Sequence, residues 1–318
     1  VNNIYSDGKI SNASYGLQAT GDASSSKEGK ISLTTAKVEI HATEYNRKGI
    51  GIQGINWGTV IVGNTDTQDV SISGATQGVL LKKGGCAEIT GEQVKISNNE
   101  KRWKLIEIDN TIQTAKRTAQ LIVKGKQIEL VAAGQVIEAS AKGSTAQSSY
   151  PKASVVLGDD STELLTMTGG NGINAGINSE IIGNAKNINL VVNSAASTKG
   201  VQATTGESKV QLTATNNLLI DVTGADGAIA VYNRSASGKV ELAGNDIKIQ
   251  AKGEGDRVYG VHAETQSNVL ISGNTADIRT VGGKNGSKGE LGSSALHANN
   301  GNITVNADKV EVNTTNAK

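Results

Sequence analysis

The sequence predicts an all-β chain wound as a right-handed parallel β-helix, a single solenoid of about ten three-stranded coils running through residues 1–318. Three observations predict it. A short word returns at an average interval of about 31 residues, inside the window of stacked repeats. Each return is accompanied by two segments in which apolar and polar residues alternate. Finally, the chain carries 39 Gly but 1 Pro and no Phe, with 3% aromatic and 36% hydrophobic residues. Its core must therefore be built in thin layers of Val, Ile, Leu and Ala.

The word reads small, aliphatic, polar, small. It stands at Gly16-Leu17-Gln18-Ala19, Gly51-Ile52-Gln53-Gly54, Gly172-Ile173-Asn174-Ala175, Gly200-Val201-Gln202-Ala203, Gly260-Val261-His262-Ala263 and Ala295-Leu296-His297-Ala298. Weaker forms fill the gaps at Gly78-Val79, Ile106-Glu107, Val136-Ile137-Glu138-Ala139 and Ala228-Ile229-Ala230. The two other strands of a coil are seen in Lys30-Ile31-Ser32-Leu33 with Lys37-Val38-Glu39-Ile40, and in Lys239–Ala243 with Asp246–Ala251. Their period of two buries one face and wets the other. Gly, Asn, Asp, Ser and Thr separate the strands and supply tight corners. One coil cannot bury its inward face alone, but stacking at about 4.8 Å joins the coils into one core and pairs the backbone. A helical repeat fails because the apolar positions alternate instead of recurring at i, i+3 and i+4, and a β-sandwich does not need the same word in every coil.

Most coils are close to about 28 residues, so longer intervals mark corner insertions near 140–153, with the sole proline Pro151, near 282–294, and a smaller one at Tyr45 to Lys48. Such corners tolerate extra chain and often carry recognition.

Charge excludes some partners. The 31 basic and 30 acidic residues are interspersed for a net +1, which leaves no electrostatic footprint for nucleic acid or an anionic membrane. No apolar stretch approaches the ~20 residues of a membrane helix, so this segment is not expected to insert in a bilayer. Cys86 is alone and reads as a small residue buried or half-buried in a strand. The start Val1-Asn2-Asn3 has neither initiator Met nor signal pattern and reads as a segment of a longer precursor.

Enzymatic words are scarce. Asn64-Thr65-Asp66 and Gly158-Asp159-Asp160 resemble fragments of the polygalacturonase-type glycoside hydrolase signature. Hydrolysis needs its carboxyl groups within about 10 Å, whereas these words lie about three coils, or ~14 Å, apart. The later words of that signature are missing, as are a stacked calcium-binding acidic cluster, a Gly-Asp-Ser-Gly word and a phosphate-binding loop. No catalytic residue, metal or cofactor is therefore expected. His262 and His297 fall in the same outward slot one coil apart, so their rings should approach within about 5 Å. Gln18, Gln53, Asn174 and Gln202 hold that slot elsewhere. Two imidazoles do not complete a metal shell, and a polar ladder on a solvated face is the expectation.

Rings are rare enough to single out. Tyr232-Asn233-Arg234 and Asp256-Arg257-Val258-Tyr259 set a ring beside hydrogen-bonding groups, a combination suited to sugar faces or protein partners. With Trp103 and Tyr150 near corners, they make up the candidate ligand-binding set. Trp103, like Trp57, has an alternative role as cover for a corner of the core.

Words such as Gly238-Lys239-Val240-Glu241-Leu242-Ala243-Gly244-Asn245-Asp246-Ile247-Lys248-Ile249 resemble the coils of passenger domains of Gram-negative monomeric (type Va) autotransporters, and the resemblance runs along essentially the whole chain. It implies a precursor with a signal peptide and a C-terminal outer-membrane β-barrel, hence display at the cell surface through a barrel outside this chain. It also implies adhesion, coaggregation or biofilm formation. The expectation is a non-enzymatic adhesin or self-associating rod whose partners are host or bacterial surface glycans or proteins, or further copies of itself. A stalk presenting a function elsewhere in the precursor, and a polysaccharide-active β-helix enzyme or phage-tailspike-like protein, stand as alternatives.

Overall fold

The computed structural model describes residues 9–22, 24–25, 27–43, 49–110, 117–141, 151–255, 257–283 and 293–315. Among them there is no helix, and each long strand pairs in parallel with its equivalents one coil before and after. The recurring word forms one wall, a ten-stranded sheet from Tyr15–Thr20 to Ser294–Asn299. Ten stacked strands make about nine turns of a parallel β-solenoid. The register steps Leu17, Ile52, Val79, Ile106, Ile137, Ile173, Val201, Val231, Val261, Leu296.

One rung differs from the sequence reading. Val231, not Ile229, is the residue in register with Val201 and Val261. Val231 points into the core, and Ile229 lies on the outer side beside Lys199 and Tyr259. Ala228-Ile229-Ala230 imitates the word, but Ala230-Val231-Tyr232-Asn233 is the one that fits the pleat.

The other two walls are separate in the first half of the molecule. One runs through Gly29–Leu33, Gly58–Val62, Cys86–Thr90, Ala119–Lys124 and Ala153–Leu157, the other from Lys9–Ala13 through Lys37–Ala42, Asp69–Gly74, Gln93–Asn98 and Gln127–Val131 to Leu164–Gly169. From Ser179 onward they fuse. Ser179–Ser194, Ser208–Gly224, Lys239–Gly253, Asn268–Gly282 and Asn302–Thr315 each cross both walls as one bent strand. Here the expected three-stranded coil becomes two-stranded. The separators, such as Gly244-Asn245, are too short for a turn, so the backbone bends and keeps pairing, with register shifts at Ala185/Asn187 and Thr213/Asn217.

Where the corner survives, it is a built turn. Gly63 at φ 71° and Gly158 at φ 72° adopt the left-handed conformation that favours glycine. Asn64 and Asp159 follow them, and each side-chain Oδ1 accepts the backbone N–H two residues on, from Asp66 and Ser161 respectively, at 2.9 Å. Thr67 and Thr162 then donate to Thr35 O at 2.7 Å and Gly125 O at 2.8 Å in the previous coil. The two hydrolase-like words are thus one repeated corner, with the Asp159 carboxylate also accepting from Ser161 Oγ.

Inside lies one continuous aliphatic cluster that includes Ile52, Ile106, Ile137, Val201 and Val261, all fully buried. Complete burial of such a side chain stabilises by about 1.5–3 kcal/mol. Cys86 is half-buried and burial pushes its thiol up, as a strand residue beside the core should behave.

Candidate functional site

The polar letter of the word points out of its wall, and the parallel register stacks it into a ladder. Its rungs are Gln18, Gln53, Leu80, Glu107, Glu138, Asn174, Gln202, Tyr232, His262 and His297. A second outward row runs beside it and includes Lys104, Gln135 and Asn171, then Lys199, Ile229, Tyr259 and Ser294. It stands three residues before the ladder because the small letter and the aliphatic letter both face inward, so a strand with strict alternation would misplace it.

The character of the ladder changes along the axis. At the start Gln18 Nε2 donates to Gln53 Oε1 at 2.7 Å. In the middle Lys104 pairs with Glu107 at 3.2 Å and Glu138 at 3.5 Å. Beyond Glu138 the carboxylates stop, and the outer face sinks into an open trough of about 440 Å³. Its sides carry the amides of Gln135, Asn171, Asn174 and Gln202 and the cations Lys199 and Arg257, over an apolar floor at Ile229. Thr198 Oγ1 lies 2.7 Å from Gly170 O and 2.8 Å from Asn171 Oδ1, and its single hydroxyl proton serves one of these acceptors at a time. Gln202 makes no side-chain hydrogen bond among the described residues. Neither Lys199 nor Arg257 meets a carboxylate among them.

Next to the trough stand the rings. Tyr259 stacks on His297 with centroids 4.9 Å apart and lies 4.7 Å from His262, while His262 meets His297 edge-on at 4.7 Å and Tyr232 at 5.3 Å. Ile229, Tyr232 and Tyr259 form an apolar cluster separate from the core. Lys199 Nζ sits 4.5 Å above the Tyr232 ring, a cation–π contact, and Tyr232 donates its hydroxyl to Glu264 Oε2 at 3.0 Å. Burial, followed by that hydrogen bond, pushes the Tyr232 phenol up, and burial raises Tyr259 as well.

Burial also decides the charge states of the bases. Burial and the neighbouring Arg234 lower Lys199, with Glu264 opposing. His262 is pulled down to about 4, chiefly by burial. Its Nε2 comes within 3.1 Å of Glu264 Oε1, but neither ring nitrogen has an aligned hydrogen bond. The attraction of Glu264 is therefore weaker than the loss of hydration.

The structure brings together Asn174, Gln202, Tyr232, Arg257, Tyr259, His262 and His297 of the sequence-derived candidates on one stretch of wall. Gln18 and Gln53 share the ladder at its far end, and Arg234 lies exposed beside Tyr232 and Lys199. The ladder is less solvated than its composition suggests, because Gln53, Tyr232 and His262 are nearly buried. Asn233 is not in the site: it is fully buried, with its amide bonded inside the corner. Trp103 is exposed at the corner before Lys104–Asn110 and does not line the trough. Trp57 forms a tight corner instead, with φ 71°. Tyr150 and Asp256 lie outside the described residues, as do 142–150, 284–292 and 44–48 within the longer coils. Sequence reasoning missed Lys199, Gln135, Asn171, Ile229 and Glu264. Their signal was a fixed offset of three residues before, or two after, the polar letter of the word.

Among the described residues no three His, Cys, Asp or Glu converge as a metal site. Such a surface offers hydrogen-bond donors, acceptors, cations and ring faces. Compared with protein-family models, with curated proteins and with solved structures, the chain matches none.

Proposed function

We propose that this chain is a non-enzymatic segment of a surface-displayed adhesive rod, and that it holds glycan on the outer face of its ten-stranded wall. The observation that carries this reading is the trough: amide donors and acceptors over an apolar floor, flanked by Tyr and His rings, is the chemistry that grips a sugar ring by its hydroxyls and its C–H face. A rigid stack of strands supports it, so little ordering cost is added on binding. The corner roles of Asp66 and Asp159 weigh against hydrolysis at the two acidic words. Display from a bacterial outer membrane through a barrel outside this chain, and clumping by rods acting multivalently, complete the proposal.

The test has two arms. Purified chain is applied to a glycan array and a panel of matrix proteins, and the chain is displayed on non-clumping cells whose sedimentation is followed. Glycan binding that weakens in a Gln202→Ala, Asn174→Ala double variant, together with clumping, is the expected result. A chain that binds nothing on the array and leaves the cells dispersed would falsify the proposal.

A further inference from the structure

Resting on the glycan-binding reading, we infer that the trough is selective for acidic polysaccharide and that Lys199 and Arg257 together receive the sugar carboxylate. Both cations line the trough. Elsewhere on the surface, cations are commonly neutralised by a neighbouring side chain: Lys95 by Glu129 at 2.8 Å, Lys209 by Glu241 at 3.2 Å, Lys126 by Glu92 and Lys186 by Glu163, both at 2.7 Å. Lys199 and Arg257 have no such partner among the described residues. Lys199 is half-buried with an aromatic face as its nearest partner, an arrangement that leaves part of its hydration unreplaced until an anion arrives.

The lining itself separates signs. No carboxylate lines the trough among the described residues, although the same ladder carries Glu107 and Glu138 just before it. An anion inside therefore meets two cations and the amides of Asn171, Asn174 and Gln202, while Glu264, the carboxylate that acts on Lys199, stands outside the lining. Arg257 offers a planar fork that matches a carboxylate, and Lys199 offers a point charge. Ile229 at the floor and the adjoining Tyr232 ring supply the apolar surface for the sugar that bears the carboxylate. The molecule as a whole is nearly neutral, at +1, so retention of an acidic polymer has to come from a local cluster and not from a general field.

Binding of the purified chain to immobilised polygalacturonate, alginate and hyaluronan is measured beside fully methyl-esterified polygalacturonate, neutral dextran and dextran sulfate. The unmodified chain is expected to bind at least one carboxylated polymer, to prefer polygalacturonate over its methyl ester at least tenfold if that is the polymer bound, and to weaken as salt rises. The double variant Lys199→Gln, Arg257→Gln should lose at least tenfold in affinity for the carboxylated polymer and keep its circular dichroism and melting temperature. Binding to methyl ester or dextran as tight as to the acids overturns the inference and leaves the glycan reading standing. Binding to none of the six polymers, nor to any glycan on the array, overturns both. Dextran sulfate bound as tightly as the carboxylates, with the double variant indifferent, also overturns it, since the attraction would then lie outside the trough.

Discussion

Asn233 spends its side chain on the wall itself. Its Nδ2 donates to Gly238 O at 3.1 Å and to Asn268 O at 2.8 Å, and its Oδ1 accepts from Ser235 N at 3.1 Å. Replacing it by Ala strands these buried groups, so Asn233→Ala should destabilise by about 2–4 kcal/mol, read as a lower urea midpoint with an unchanged slope. Adjacency in sequence hid this role. Tyr232, Asn233 and Arg234 look like one cluster, but successive residues of a strand face opposite ways, and only Tyr232 and Arg234 point outward. His262 carries a different consequence. Held at about 4 against an ordinary 6.5, it resists in the fold a proton that the unfolded chain accepts. Between about pH 6.5 and pH 4 the unfolded state then binds more protons, and stability falls as the pH drops through that window. The loss below it is on the order of 3 kcal/mol. His262→Gln, which keeps a polar rung, should flatten the dependence of the denaturation midpoint on pH over this range. The ladder slot of His262 was legible from the word alone, but its burial was not, because that depends on rings contributed by the coils on either side.

At the scale of the strand, the first letter of the word is small for a steric reason. A Cβ on Gly51 would come 2.5 Å from Ile72 Cγ2 of the opposite wall, and one on Gly260 would come 2.5 Å from Ala295 O in the next coil. The chain tightens here so that two successive residues face inward, and Leu105 and Val136 fill the same place where the coil has room. Gly51→Val should therefore destabilise by about 1–3 kcal/mol through overpacking, seen as a lower melting temperature, whereas Lys248→Val on the outer face of Lys239–Gly253 should change little. The word wall was readable because its letters combine packing and turn constraints. The fusion of the other two walls was not. Lys239–Ala243 and Asp246–Ala251 show the same alternation whether a turn or a bend joins them, and the difference lies in whether the next coil continues to pair across the joint. The shift of one rung at Ala228-Ile229-Ala230 has the same origin, since register is set by inter-coil pairing that composition does not display.

For the molecule as a whole, stability is a sum over neighbours, because each coil touches those directly above and below it. Among the described residues, Asn302–Thr315 is stacked on one side only. Val310 and Val312 are 44% and 46% exposed, whereas Ala276 and Ile278, their register partners one coil earlier, are 2% and 0%. In the isolated 318-residue segment, amide hydrogen exchange should accordingly be faster in Asn302–Thr315 than in central coils such as Gln135–Ala141 and Ser179–Ser194, measured by mass spectrometry on peptides from each strand. Equal protection in all coils would contradict the nearest-neighbour picture. The parallel pairing that defines the walls also fixes how the rod answers a pull. Its inter-coil hydrogen bonds lie along the long axis, so tension applied to its ends loads them one after another, as in opening a zipper, and does not shear many at once. Each coil of about 30 residues would then release about 100 Å of slack at modest force, so that on the proposed adhesive role the molecule would act as a damper that lengthens in steps before a tether held at its far end lets go.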